Sequence, residues 1–427
     1  MEGCPRAPAA LQALHQHERC HCGPPNATEP AGRDHRPPAR WGLPTHACPA
    51  TPYLLHEYPQ LHRRWLSEGR VLVHCSTSGG FGDYLRSIPS VVVLSMMLEL
   101  ALVLQCDVPT FDPLNPKREQ SLHRHMPRLF AGPHFDWGVR VRLGSNLSAS
   151  HAAAPSPAAF DVLRDLTAQQ MRRYERAGRA VRVYSNAFAH ARRLIKFNMA
   201  WARPRLGAYA EKPNEMDIDS CMLRYLLAPT ERLLGLADAA MGVRTPRDGA
   251  QLLRVLSTHV RIGDAAFSNA EWSATPWKFP GRRFNPFVSN VTASLECILK
   301  ASAAADGACL PCVVVSDSEE VIDCSKHALE APVLTAGVAV HILASEHKQA
   351  SLDVNIHKIF TDWWLLARSL VSVEFDAGSA FFGTANGYRL ASSSQGKRVV
   401  FPGVNHTAAA LARACSIRAT GPTVSQT

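Results

Sequence analysis

Short apolar runs separated by turn signals and by stretches of helical spacing set the pattern of this chain. Val71-Leu72-Val73-His74-Cys75 is an apolar strand, and Gly79-Gly80-Phe81-Gly82-Asp83 follows it as a glycine-rich loop. From Ser90 to Leu104 the chain is almost wholly apolar, with Pro89 ahead of it and Glu99 within it. That run falls short of the ~20 residues a membrane span needs. It reads as a buried helix running into a strand, Ala101-Leu102-Val103-Leu104-Gln105-Cys106. Strand, loop, helix and strand in this order form one Rossmann-type unit.

The second half repeats the alternation. Arg254 to Val260, Val313 to Asp317, Val338 to Leu343, Val371 to Phe375 and Arg398 to Phe401 read as strands, with a helical stretch from Glu319. Ile356, Ile359, Phe360, Trp363, Leu366, Ala367 and Leu370 fall on one helical face. Between the halves the pattern is weaker, with helices expected at 160–178 and 219–240. Strands alternating with helices predict parallel sheets covered on both faces. The expected architecture is α/β with two Rossmann-type domains and a cleft between them. The N-terminal domain would span 53–245 and the C-terminal, ligand-binding domain 246–415. Residues 1–52 hold ten of the 30 prolines, among His, Ala and Cys, and read as a disordered or stem-like segment.

Composition narrows the classes. The net charge of +10 would suit nucleic acid, an anionic membrane or phosphate-bearing substrates. The basic residues look scattered, with no Lys/Arg block interleaved with aromatics, which argues against nucleic acid. Twelve cysteines and sequons at Asn26, Asn146, Asn290 and Asn405 point to the secretory pathway. Met1-Glu2-Gly3-Cys4-Pro5 leads into no apolar signal core, so no signal or anchor is seen in this sequence.

In open parallel sheets, ligands sit beyond the C-terminal strand ends. Four segments fall there: Gly79 to Arg86, His259 to Asp264, Ser316-Asp317 and Asp376 to Ala385. Gly79, Gly80 and Gly82 would let backbone N–H groups approach a phosphate, with a helix N-terminus behind them. Arg261 suits a diphosphate, because its planar fork donates two parallel charge-assisted hydrogen bonds. A strand-end Arg–Asp ion pair is the structural alternative for His259-Val260-Arg261-Ile262-Gly263-Asp264.

That hexapeptide resembles the His-x-Arg-x-x-Asp signature of the α1,2-, α1,6- and protein O-fucosyltransferase superfamily, in the His-x-Arg-x-Gly-Asp form of plant and algal members. Gly79-Gly80-Phe81-Gly82-Asp83-Tyr84-Leu85-Arg86 is similar to the family's glycine-rich motif. The stretch from Cys221 to Thr230 resembles the helix ahead of the His-x-Arg strand. Asp362-Trp363-Trp364, with Ser379 to Ala385, is similar to the terminal Ser-x-Phe…Ala motif.

The resemblance, over about 70–405, implies a GT-B-like fold and an inverting, metal-independent transfer of fucose from GDP-fucose to a glycan or glycoprotein in the Golgi lumen. No cofactor beyond the donor substrate is implied. Arg261 would hold the diphosphate, with His259 and Asp317 near the nucleoside. Ser379 and Phe381 would line the donor site, beside Gly79, Gly80, Phe81, Gly82, Asp83 and Arg86. Asp264 would orient Arg261. Apart from the resemblance, an inverting transfer needs a base; Glu271, seven residues after Asp264, is the candidate, with an ordinary solvated loop as the alternative.

The chain departs from the pattern at Tyr84, where many members carry a basic or amide residue, and at Ile262, where others carry a second Arg. Another nucleotide-sugar transferase on the same fold, or a silent nucleotide-binding protein, therefore stays open.

Two further signals compete. Asp217-Ile218-Asp219 has the Asp-x-Asp form of metal-dependent transferases, but a helix N-cap is the preferred reading. Cys309 and Cys312, flanked by Cys297 and Cys324, could bind zinc; a disulfide or buried thiols are preferred. His17, Cys20, His21 and Cys22 read as chance clustering in a tail. No metal site is expected.

Overall fold

The computed structural model describes residues 41–75, 81–104, 125–139, 180–184, 191–260, 310–316, 322, 325–326, 333–336, 349–374, 379–394 and 396–400. Its strands are β1 (Val71–Cys75), β2 (Ala101–Val103), β3 (Phe130–Ala131), β4 (Ala180–Tyr184), β5 (Ala228–Pro229), β6 (Leu253–Val260), β7 (Cys312–Ser316), β8 (Val333–Leu334), β9 (Ser369–Glu374) and β10 (Lys397–Val400). A π-helical turn, Tyr53–Glu57, leads into α1 (Tyr58–Ser67). Then come α2 (Phe81–Met97), α3 (Ala191–Phe197), α4 (Met199–Leu206), α5 (Ala208–Glu211), α6 (Ile218–Leu226), α7 (Glu231–Met241), α8 (Gln349–Arg368) and α9 (Ala380–Ser392).

Two parallel sheets carry the architecture. The first has the order β2-β1-β4 and the second β10-β9-β6-β7-β8; β3 and β5 form a separate antiparallel pair. The apolar strands seen in the sequence are the buried ones: Val71, Leu72 and Val73 in β1, and Val313, Val314 and Val315 in β7. Hydroxyls inside the second sheet are paired. Thr258 Oγ1 donates to the Val373 carbonyl at 3.2 Å, and Ser372 Oγ donates to Asn386 at 3.1 Å.

The structure corrects three expectations. Pro89 does not precede the apolar helix; α2 starts at Phe81 and runs through Pro89. A mid-helix proline costs about 3 kcal/mol or more. Here Ile88, Val91, Val92 and Leu94 are all fully buried, and their burial outweighs that cost. The single helix expected at 219–240 is two, α6 and α7. Pro229 enters β5, and Thr230 caps α7 by accepting the Leu233 N–H. The expected strand at 338–343 and helix at 160–178 lie outside the described residues.

The third correction concerns the N-terminal segment. Residues 41–52, which composition groups with the stem, are packed as a strap over the fold. Cys48 forms a disulfide with Cys221 of α6, 173 residues away. Thr45 Oγ1 donates to the Ala391 carbonyl of α9 at 2.6 Å, and Tyr209 donates to the Pro49 carbonyl at 2.8 Å. Trp41 lies against two buried guanidinium groups, Arg224 at 5.4 Å and Arg368 at 5.3 Å from its ring. Both arginines donate to the Gly249 carbonyl, at 3.0 and 2.7 Å, and Arg368 also donates to Asp248 and Gln251. They thus hold the connection that enters β6, one from each half of the chain.

The strap also makes a titratable contact. Leu43 N–H donates to His134 Nε2 at 3.1 Å, and the His134 ring stacks on Tyr225. Burial pushes His134 down to about 4. The unfolded chain, at about 6.5, then binds the proton more readily than the fold does. Stability from this contact is present above about pH 6.5 and is lost as pH falls toward 4. Thermal unfolding across that window should show a melting temperature that drops with acidification, and less steeply in His134→Asn.

Candidate active site

The second sheet, taken in chain order from β6, has the strand order 3-2-1-4-5. From β6 the chain builds outward through β7 and β8, then returns to the opposite flank for β9 and β10. Connections leaving β6 and β9 therefore diverge, and a crevice opens at their C-terminal ends, where doubly wound sheets take their ligands. His259 is the penultimate residue of β6, in register with Val315 of β7 and Glu374 of β9. Ser379, which follows β9, caps α9 by accepting the Phe382 N–H at 3.3 Å.

Across this crevice His259 Nδ1 lies 3.3 Å from Ser379 Oγ, and the His259 ring lies 5.3 Å from that of Phe381. All three residues are half-buried. Three residues singled out on two separate motifs are thus brought together by the topology. Ser379 can join the helix cap and the imidazole because its hydroxyl both donates and accepts.

The glycine-rich motif meets the same place from the other half. A Cβ on Gly82 would sit 2.3 Å from Phe381 N and 2.8 Å from the Ala380 carbonyl carbon. Helices α2 and α9 therefore meet backbone to backbone at their first turns. Phe81 is buried, its ring 4.2 Å from Phe360 and 6.3 Å from Phe381. This revises the reading of Phe81 and Gly82 as donor-contacting residues. Gly82 is small so that the helices can touch, and Phe81 anchors the contact. Asp83 and Arg86, further along the first turns of α2, are half-exposed. Gly82→Ala should destabilise the protein by about 1–3 kcal/mol, the range for overpacking a tight contact. Chemical denaturation of the variant measures this; an unchanged midpoint would show that α2 and α9 can part freely.

Gly79, Gly80, Arg261, Asp264, Glu271 and Asp317 lie outside the described residues. The last register pair of β6 and β7 is Val260 with Ser316, and Arg261 and Asp317 are the next residues of the chain. Both carboxylates of the Asp-x-Asp pair are engaged at helix starts. Asp217 caps α6, accepting from Ser220 N–H at 3.1 Å and Ser220 Oγ–H at 2.5 Å. Asp219 accepts the Ala191 N–H at 2.8 Å, fixing the start of α3. Among the described residues no group of three His, Cys, Asp or Glu side chains could hold a metal. Cys312 is a buried free thiol whose pKa burial pushes up to about 12; Cys297, Cys309 and Cys324 lie outside the described residues. Tyr84 is core. Its ring stacks on His74 at 5.0 Å, and its hydroxyl donates to the Leu104 carbonyl at 3.2 Å.

No family model matches the sequence, and neither does any curated protein. Among solved structures the chain is similar to an Arabidopsis thaliana FUT1 mutant in complex with GDP, at 14% identity and a TM-score of 0.48, covering 82% of this chain and 80% of that one. It is similar to the fucosyltransferase NodZ from Bradyrhizobium, at 14% identity and 0.40, covering 74% and 92%. It is also similar to POFUT1 in complex with GDP-fucose, at 14% identity and 0.38, covering 78% and 98%.

Proposed function

We propose that this chain is a glycosyltransferase that takes fucose from GDP-fucose, with inversion and without a metal, and passes it to a glycan or glycoprotein in the Golgi lumen. The observation that carries the reading is the meeting of His259, Ser379 and Phe381 at the strand-order reversal of the second sheet. These residues come from two motifs that resemble the fucosyltransferase superfamily. In this reading Arg261, the residue after β6, grips the leaving diphosphate as negative charge grows on it. Asp317, after β7, accepts from two adjacent N–H groups of guanine. Asp264 orients Arg261, and Glu271 takes the acceptor proton.

Titration calorimetry with GDP and UDP, in buffer containing EDTA, tests the donor side. GDP should bind and UDP should not, because a carboxylate that finds no paired N–H donors on uracil is left unsatisfied. Equal binding of the two nucleotides, or GDP binding that needs added Mn²⁺, would overturn the reading.

A second reading is a nucleotide-binding protein without turnover. It is favoured by Tyr84, which is buried where a polar donor contact would otherwise stand. GDP binding with no transfer or hydrolysis of GDP-fucose would select it.

A further inference from the structure

The positive charge of this chain is less scattered than a first reading suggests. Between Glu175 and Glu211 there is no carboxylate, and eight Lys and Arg residues fall in that interval. The net charge of the whole chain is +10. The run includes β4, α3 and α4. Within the two helices, Arg192, Lys196, Phe197, Ala200, Arg203 and Pro204 are exposed, while Leu194, Ile195, Ala202 and Leu206 are buried. Arg192 and Lys196 lie one turn apart on α3, and Ala200, Arg203 and Pro204 lie one turn apart on α4, so each helix turns an exposed side outward.

Among the described residues, none of Arg192, Lys196 and Arg203 is in an ion pair, so their charges are open to an anionic partner. Phe197 stands among these cations with 55% of its surface exposed. Nearby, Trp201 is half-buried under the Arg205 guanidinium, 5.4 Å from its ring. An exposed aromatic among open cations suits the boundary between charged headgroups and acyl chains.

We propose that the outward face of α3 and α4 docks on an anionic lipid bilayer, with Arg192, Lys196 and Arg203 over the headgroups and Phe197 at the acyl boundary. The face is an outer helix surface, and its aromatic projects between charges rather than offering a row of stacking platforms, so single-stranded nucleic acid is the poorer occupant. No helix among the described residues is long and apolar enough to cross a membrane, so the contact is peripheral. The proposal does not depend on the nucleotide-sugar reading.

The test uses the full chain, co-sedimented with vesicles of phosphatidylcholine alone or of an equimolar mixture with phosphatidylserine. Binding is expected only to the anionic vesicles, weakening as salt shortens the Debye length. Each cation near the surface is worth roughly fivefold in partitioning, so changing Arg192, Lys196 and Arg203 together to Gln should weaken binding about a hundredfold. Phe197→Ser should weaken it by a smaller factor without changing the salt dependence. All four side chains are exposed, so both variants should melt as the parent does. Three results would overturn the proposal: no binding to anionic vesicles, binding that the triple variant retains, or binding to heparin and RNA in preference to vesicles with Phe197→Ser silent.

Discussion

Replacing Arg261 by alanine should lower kcat by about 10²–10³, the range for one electrostatic donor in a water-excluded site. The charge on a departing diphosphate is larger in the transition state than in the bound donor, so a fixed guanidinium acts mainly on turnover. Arg261→Lys keeps the charge and loses the fork, and should restore only part of the rate. Arg261 directly follows β6, whose penultimate residue His259 already faces the crevice beside Ser379. Thermal stability without ligand should change little. An ion pair between Arg261 and Asp264 predicts the reverse, a lower melting temperature with near-normal turnover. Measuring both quantities on one purified variant separates the two, and a folded Arg261→Ala protein with undiminished kcat ends the assignment.

The second large effect is structural. Cys48→Ser or Cys221→Ser should cost about 2–5 kcal/mol of stability, as loss of a native disulfide commonly does. The loop it closes spans 173 residues, so much of the unfolded chain gains freedom when the bond is lost. The strap then depends on the non-covalent contacts of Trp41, Leu43, Thr45 and Pro49. Limited proteolysis should cut the serine variants within 41–50 while the parent resists. Denaturant titration of oxidised and reduced parent protein should reproduce the difference, and coincident curves would show that the strap holds without its covalent tie.

Legibility in the sequence followed the range of the interactions. Strands β1, β6, β7, β9 and β10 were readable because their apolar runs are local, and parallel pairing follows from their alternation with helices. Helix α8 was readable from its spacing, and Phe360, Trp363 and Leu366 are buried, but the expected single apolar face is wrong: every residue from Phe360 to Arg368 is buried, and Leu370 lies in β9. His259, Ser379 and Phe381 were found by motif, and strand order alone could not have been guessed from them. The break between α6 and α7 was signalled by Pro229-Thr230-Glu231, but the apolar spacing on either side masked it. Pro89 misled for the opposite reason, since burial from distant elements overrides a local breaker. The role of Gly82 and the seat of Trp41 have no local signature. One depends on Phe381 and the other on Arg224 and Arg368, all far away in the sequence.

The seat of Trp41 constrains how this sequence can drift. Arg224 and Arg368 share one carbonyl and one indole ring, and each is fully buried. Losing Trp41 first would leave two buried cations close together without the ring against which both lie. Losing either arginine first would strip Gly249 of a donor and open a hole beside the indole. Each opening substitution is thus costly, since it leaves a buried cation or carbonyl poorly matched. Once one has gone, the others cost less, because the partners they served are already missing. Effects of this kind are strongly non-additive. Under selection for a folded product, the three positions should persist together through many generations and then be exchanged as a set rather than change one at a time.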